Sequence, residues 1–282
     1  MSFSPLPELL LEPLVRAALI EDLGPAGDAT TRAVIPEGLR YTAQLNARES
    51  GVISGMQPAA LAFRLVDPAL MVEIVRPDGS SVVAGDVVMR IEGVAGSILS
   101  AERVALNFAG RLSGIATLTA AFVRETAGTG ARITCTRKTT PGLRLVEKEA
   151  VLHGGGAAHR YGLSDAILIK DNHIAAAGGV AAVLQAARTR ASHMRRIEIE
   201  VDTMAQLDEV LAVGGGDVVL LDNMNTEMLV EAVVRVDGRL VTEASGNMQL
   251  ERIAEVARTG VDFISVGALT HSAPVLDLGL DF

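Results

Sequence analysis

The sequence predicts an α/β protein in which a small antiparallel sheet precedes a parallel sheet interleaved with helices, built as a barrel or as a doubly wound sheet. Two observations carry this reading. From about residue 131 a strand, loop, helix rhythm repeats, with candidate strands at Arg132–Thr136, Ala166–Ile169, Arg196–Val201, Val218–Leu221, Leu240–Thr242 and Phe263–Val266. Each is short, apolar and β-branched, as parallel strands covered on both faces are. The second observation is the set of residues at the C-terminal ends of these strands: Arg137-Lys138, Lys170-Asp171, Glu200 with Asp202, Asp222-Asn223, Glu243 with Ser245-Gly246, and Gly267. Polar residues after six successive strands mark the rim where α/β barrel enzymes place their chemistry.

Helical spacing fills the gaps between those strands at Val180–Arg190, Met204–Val213, Thr226–Val236 and Gln249–Arg258. The first part reads differently. An amphipathic stretch runs from Leu9 to Leu19, and in Gly27-Asp28-Ala29-Thr30-Thr31 either Asp28 or Thr30 can cap a turn. Strand and turn signals come next at Tyr41–Ala47, Met71–Val75, Ser81–Val83 and Val87–Ile91, separated by Pro77-Asp78-Gly79 and Gly85-Asp86. A second amphipathic segment starts near Ser97, with Ser100 as a candidate N-cap, and runs towards Leu112. The expected division is 1–107 and 108–270, with 271–282 returning to the first part.

Composition narrows the function. The 282 residues hold no tryptophan, two tyrosines and six phenylalanines, and the net charge is −9. An acidic chain poor in aromatics is unsuited to nucleic acid or to an anionic membrane surface. Cys135 stands alone, which leaves no disulfide framework and no zinc spacing. The N-terminus lacks a leader pattern and no apolar run reaches about 18 residues, so a cytoplasmic protein is expected.

The charge is unevenly spread. The chain has 22 arginines but only three lysines, Lys138, Lys148 and Lys170, all in one short stretch. Residues 132–173 carry a balance of +3 and the remainder −12, and His153, His159 and His173 fall in the positive window. An acidic protein with one concentrated basic segment draws a small anion into a cleft. Lysine supplies a compact point charge where arginine supplies a planar fork. In Thr136-Arg137-Lys138-Thr139-Thr140-Pro141-Gly142, Arg137 suits a carboxylate and Lys138 a phosphate. Gly154-Gly155-Gly156 allows close backbone approach and leads to His159-Arg160. Glu200 and Asp222 end neighbouring strands, where they can bind Mg²⁺, accept hydrogen bonds from ribose hydroxyls, or pair with Lys170 or Lys138. Ser245-Gly246-Asn247 and Gly267-Ala268-Leu269-Thr270 follow the last two strands, the usual barrel location for a phosphate. Together these describe a phosphorylated ribose beside an acidic co-substrate.

Thr136–Arg144 with Glu147-Lys148, Gly154–Arg160 and Leu168–Ile174 resemble the quinolinate phosphoribosyltransferase family. The likeness extends to Glu21–Gly24, Gly27–Thr31, Ala101–Asn107, Leu112–Thr117 and Glu243–Gly246, and so covers nearly the whole chain. The resemblance implies an N-terminal α/β sandwich, an incomplete six-stranded parallel α/β barrel, and a homodimer whose subunits complete each other's sites. It also implies a pentosyltransferase of NAD biosynthesis that joins quinolinate to 5-phosphoribosyl-1-diphosphate with Mg²⁺. Residue by residue, Arg103 matches the arginine lent by the partner subunit, and Arg137, His159 and Arg160 match the dicarboxylate pocket. Lys138 and Lys170 match lysines at carboxylate and diphosphate groups, and Glu200 and Asp222 match the ribose and metal carboxylates. Ser245, Gly246 and Gly267 match the phosphate cradle, and Thr136, Asn247, Val266 and Ala268 are further expected substrate-binding residues. Lys138, Lys170, Glu200 and Asp222 are the expected catalytic residues.

Three positions depart from the family pattern: Ala158 for an asparagine, Asn247 for a glycine, and Glu149 for an aromatic residue. Two rival readings share the barrel, a molybdenum-associated paralogue of altered substrate and a lyase forming a Schiff base on Lys170. The first part's turns also suit a biotinyl or lipoyl carrier, but no lysine precedes Lys138 to be modified.

Overall fold

In the computed structural model, which describes residues 4–282, the opening amphipathic stretch forms α1 (Glu8–Leu23), with Leu11, Val15 and Leu19 as its buried stripe. Along the chain then come α2 (Ala29–Val34), β1 (Arg40–Ala47), β2 (Gly51–Val52), α3 (Met56–Val66), β3 (Met71–Ile74), β4 (Ser81–Val82), β5 (Val87–Val94) and α4 (Ala95–Glu125). Next are β6 (Arg132–Thr134), α5 (Arg144–His153), β7 (Ile167–Ile169), α6 (Asp171–Ala177), α7 (Val180–Arg190), β8 (Ile197–Val201) and α8 (Met204–Val213). The chain closes with β9 (Val218–Asp222), α9 (Thr226–Val236), β10 (Val241–Ser245), α10 (Leu250–Ala257), β11 (Phe263–Ser265), α11 (Ala268–His271) and β12 (Leu278–Asp281).

The chain forms two units. The first holds residues up to Ala120, Thr140–Gly155 and Ser272–Phe282, and the second holds Ala121–Thr139 and Gly156–His271. The boundary expected at 107/108 therefore falls inside a continuous helix, α4. Residues 140–155, read with the second part, fold with the first. Helix α5 explains why: Val146, Ala150 and Val151 are buried, and Gly154 approaches α4 so closely that a Cβ would lie 2.4 Å from the Ala116 carbonyl oxygen.

Within the first unit an antiparallel sheet runs in the order β12, β1, β5, β3, with Leu45 of β1 facing Leu280 on one side and Met89 on the other. Asp28 caps α2 by accepting from the Thr31 amide at 2.9 Å. Ser100 is not a cap. It lies inside α4 and donates to Asp28 Oδ2 at 3.1 Å, because α4 begins five residues earlier than that residue. Helix α4 is long and apolar enough by length and composition to cross a membrane, but charged residues such as Arg111 interrupt it, and 61% of its apolar window is buried within the protein, as in a core helix.

Glu147 ties this unit together. Its fully buried carboxylate accepts from Arg111 Nη2 at 2.9 Å and Nε at 3.2 Å, and from the Thr140 amide and hydroxyl at 3.0 and 2.7 Å. Arg111 Nη1 donates to the Ala273 carbonyl at 3.2 Å, so one ion pair joins three segments remote in sequence. Breaking a buried pair strands the remaining charge. Glu147→Gln is expected to cost about 3 kcal/mol in urea unfolding at fixed protein concentration.

A cavity of about 360 Å³ in the same unit is lined by Leu11, Met56 and Leu112 and by three ionisable groups, Asp78, Glu149 and His153. Burial pushes Asp78 up to about 6, although its Oδ1 accepts from the Met56 amide at 3.0 Å. Burial also raises Glu149 and pushes His153 down to about 4, with His153 Nδ1 2.8 Å from the Ser54 hydroxyl. A raised carboxyl binds its proton more tightly when folded, so its contribution to stability falls as pH rises from 3.8 through about 6. A lowered histidine resists protonation when folded, so its contribution rises with pH from about 4 to 6.5. The two slopes oppose each other. Asp78→Asn, which retains an acceptor, is expected to gain roughly 2 kcal/mol near neutral pH. Unfolding midpoints of the variant should also climb more steeply across the acid range than those of the parent.

Candidate active site

The second unit is an incomplete barrel, a parallel sheet in the order β6, β11, β10, β9, β8, β7. Alternation along each strand sends every second side chain into the interior. On β8, Ile197, Ile199 and Val201 face the helices while Glu198 and Glu200 face inward, in register with Val218 and Leu220 of β9. On β10, Glu243 and Ser245 point inward beside Leu220 and Asp222. Helix caps at the same ends fix where each strand stops: Thr203 and Gln206 form a capping box on α8, and Asn225 accepts from the Met228 amide on α9.

The strand ends surround a cavity of about 770 Å³. Thr136, Arg137, Lys138, His159, Arg160 and Lys170 line it, as do Glu200, Asp222, Ser245, Gly246, Asn247, Gly267 and Ala268. Val266 does not line it. Flanked by inward-facing Ser265 and by Gly267, it points to the opposite face and is 1% exposed. Arg103 does not line it either; it is an exposed residue of α4 in the first unit. Lys148, grouped with the other lysines by sequence, is fully buried on α5 in the first unit.

Charges of both signs line the mouth. Lys170 Nζ lies 3.5 Å from Glu200 Oε2, and one carboxylate oxygen each from Glu200, Asp202 and Asp222 lie within 4.8 Å of one another. Glu200 is raised from the ordinary glutamate value by burial, opposed by Lys170 and reinforced by Asp222. Asp202 is raised by burial and by Asp222 and Asp171. Asn223 donates from Nδ2 to Asp222 Oδ2 at 2.6 Å. Three hard carboxylate donors so close together suit a divalent cation such as Mg²⁺. Burial and neighbouring Arg137 lower Arg160, whose Nη1 donates to the Ala166 carbonyl at 3.3 Å. Lys138 is held by its backbone: its amide donates to Thr136 Oγ1 at 3.1 Å and its carbonyl accepts from Thr270 Oγ1 at 2.7 Å.

Backbone shape completes the mouth. Asn223 and Asn247 have φ of +53° and +48°, the left-handed conformation that asparagine tolerates better than most side chains. Gly246 between them, at φ +92°, admits no Cβ, which would lie 2.2 Å from Asn223 Oδ1. Several lining residues escape sequence reasoning: His271, whose ring lies against Gly267, and Met248 and Gln249. So does the burial of Glu198 and Glu243 in the interior. The alternating Ile-Glu-Ile-Glu-Val of β8 is the signal that marks Glu198 as a companion of Glu200.

The fold and this mouth define an α/β-barrel enzyme that works on a polar, anionic small molecule. The family described as quinolinate phosphoribosyl transferase matches the chain twice, its N-terminal domain over residues 28–113 and its C-terminal domain over 115–281. The chain is 44% identical to the nicotinate-nucleotide pyrophosphorylase [carboxylating] of Mycobacterium leprae, covering 95% of each sequence. It is 42% identical to the chloroplastic nicotinate-nucleotide pyrophosphorylase [carboxylating] of Arabidopsis thaliana, over 96% of this chain and 82% of the relative. A solved nicotinate-nucleotide pyrophosphorylase from Francisella tularensis superposes with a TM-score of 0.94 at 38% identity, covering 98% of this chain and 97% of the other. The chain belongs to the quinolinate phosphoribosyltransferase family.

Proposed function

We propose that the protein transfers the phosphoribosyl group of 5-phosphoribosyl-1-diphosphate to quinolinate and decarboxylates the product, giving nicotinate mononucleotide, diphosphate and carbon dioxide. The observation that carries this reading is a single cavity lined by Arg137, Lys138, Arg160 and Lys170 together with Glu200 and Asp222, with a cluster of carboxylates at Glu200, Asp202 and Asp222 beside Lys170. Family membership over both domains supports the same reaction in NAD biosynthesis.

In this reading Arg137 and Arg160 grip the two carboxylates of quinolinate as planar forks. Glu200 and Asp222 face the ribose, where positive charge develops at the anomeric carbon as the bond to diphosphate breaks. Lys138 and Lys170 hold the anionic groups that flank it. The pyridine nitrogen, held in line, attacks that carbon and becomes quaternary. The electron pair left when the adjacent carboxylate departs as carbon dioxide is then stabilised by the ring cation, and a proton from water completes the product at that carbon. Glu200, Asp202 and Asp222 would hold Mg²⁺, which when bound offsets charge on the diphosphate. Ser245, Gly246, Asn247, Gly267 and Ala268 would cradle the 5-phosphate with backbone N–H groups.

The working form in this proposal is a cytoplasmic homodimer, with Arg103 of one subunit reaching the cavity of the other. Its support is that Arg103 is exposed and does not line its own chain's cavity. Plant relatives carry chloroplastic or mitochondrial names, so compartment varies among relatives of this chain.

Incubating the protein with quinolinate, 5-phosphoribosyl-1-diphosphate and Mg²⁺ should yield nicotinate mononucleotide by chromatography, and nicotinate in place of quinolinate should give little. Equal product from nicotinate would overturn the dicarboxylate pocket. Lys138→Ala and Lys170→Ala are each expected to lower kcat/KM by about a hundredfold, the scale of losing one electrostatic stabiliser. Near-normal turnover in either variant would remove that lysine from the mechanism.

A further inference from the structure

Beneath the mouth, the barrel interior holds two carboxylates where apolar side chains usually fill an α/β barrel. Glu198 is 7% exposed and Glu243 5%. His159 reaches between them, its Nε2 lying 3.0 Å from Glu198 Oε2 and 3.6 Å from Glu243 Oε1. The other ring nitrogen is also engaged: Nδ1 accepts from the Arg160 backbone amide at 2.8 Å. An imidazole nitrogen that accepts an N–H cannot carry a proton, so the neutral ring must carry its hydrogen on Nε2. This arrangement also argues against a metal bound by His159, Glu198 and Glu243, although their ligand atoms cluster within 4.8 Å. Coordination through Nε2 would require the hydrogen on Nδ1, which the Arg160 amide forbids.

Both ring nitrogens are thus engaged inside the protein, while the ring itself forms part of the cavity wall. It passes a constraint from Glu198 to the backbone of Arg160. That residue's guanidinium is then tied at Nη1 to Ala166, while Arg160 Nε and Arg137 Nε are buried without a hydrogen-bond partner. Buried donors left open in this way cost stability and mark where an anion completes the set.

We propose that Glu198 is a positioning residue for dicarboxylate binding: it pins His159 as the Nε2–H tautomer, and His159 in turn fixes Arg160 so that the guanidinium faces the cavity. This rests on the assignment of Arg137 and Arg160 to the quinolinate carboxylates.

The test combines a spectroscopic readout with a kinetic one. In histidine labelled with nitrogen-15, the His159 resonances, assigned by their loss in His159→Gln, should show the Nε2–H tautomer in the unliganded parent protein. Glu198→Gln retains a carbonyl acceptor and should keep that tautomer, raising the quinolinate KM by less than about threefold. Glu198→Leu removes the acceptor and should raise the quinolinate KM by at least about tenfold, the loss of one hydrogen bond to a charged group. The KM for 5-phosphoribosyl-1-diphosphate should change little in both variants. An Nδ1–H ring in the parent protein overturns the proposal, and so does a quinolinate KM equally raised in the Gln and Leu variants or unmoved in both. Should the Leu variant fail to fold, the parent tautomer and the Gln variant decide the matter. The tautomer needs no turnover to be read, so inactivity towards quinolinate would sink the functional reading while leaving this measurement intact.

Discussion

A β-strand delivers its side chains to opposite faces in turn, and the second unit depends on that alternation. Glu198 and Glu200, Leu220 and Asp222, and Glu243 and Ser245 are each two residues apart, so each pair shares the interior face at successive depths. The upper members form the mouth with Lys170 and Thr136, and the lower members fill the space beneath it. A slip of one residue in any of these strands would exchange carboxylates for Ile199, Val201 or Leu221. Helix caps at Thr203 and Asn225 guard against such slips by fixing the strand-to-helix turns.

The regular parts of this architecture are legible because their periodicity is clean. Helices α7, α8 and α9 begin and end where the apolar spacing places them. Helix α3 escapes notice because Pro58 and the unbroken apolar run at 58–63, all of it buried, mask the helical spacing in so short a segment. Helix α5 is hidden for the opposite reason. Its Glu147 and Lys148 look like solvent-facing residues, yet both are fully buried, and the hydrogen bonds that make this tolerable for Glu147 come from Arg111 and Thr140, remote or irregular in sequence.

For the site, the polar strand ends identify most of the cavity wall, since residues just beyond parallel strands converge whatever their order in the chain. Depth is harder to read. Strand β10 runs on to Ser245, past the expected end at Thr242, which turns Glu243 from a loop residue into a buried one. The neighbours of Val266 suggest the cradle for it, but alternation sends it the other way. His271 carries no local signal because it reaches the mouth by following Gly267 around the short α11.

The barrel does not close, and this has a consequence for how the protein keeps to itself. Among the described residues, strand β7 pairs with another strand on one flank only. Such a margin can template the addition of a foreign segment, a hazard that grows with the length and flatness of the border. Here the border is three residues long, with Asp165 shortly before it and Asp171 shortly after. Brevity and flanking charge give an intruding chain few ladder bonds to gain, so the gap that leaves the circle incomplete is kept from becoming a seam for aggregation.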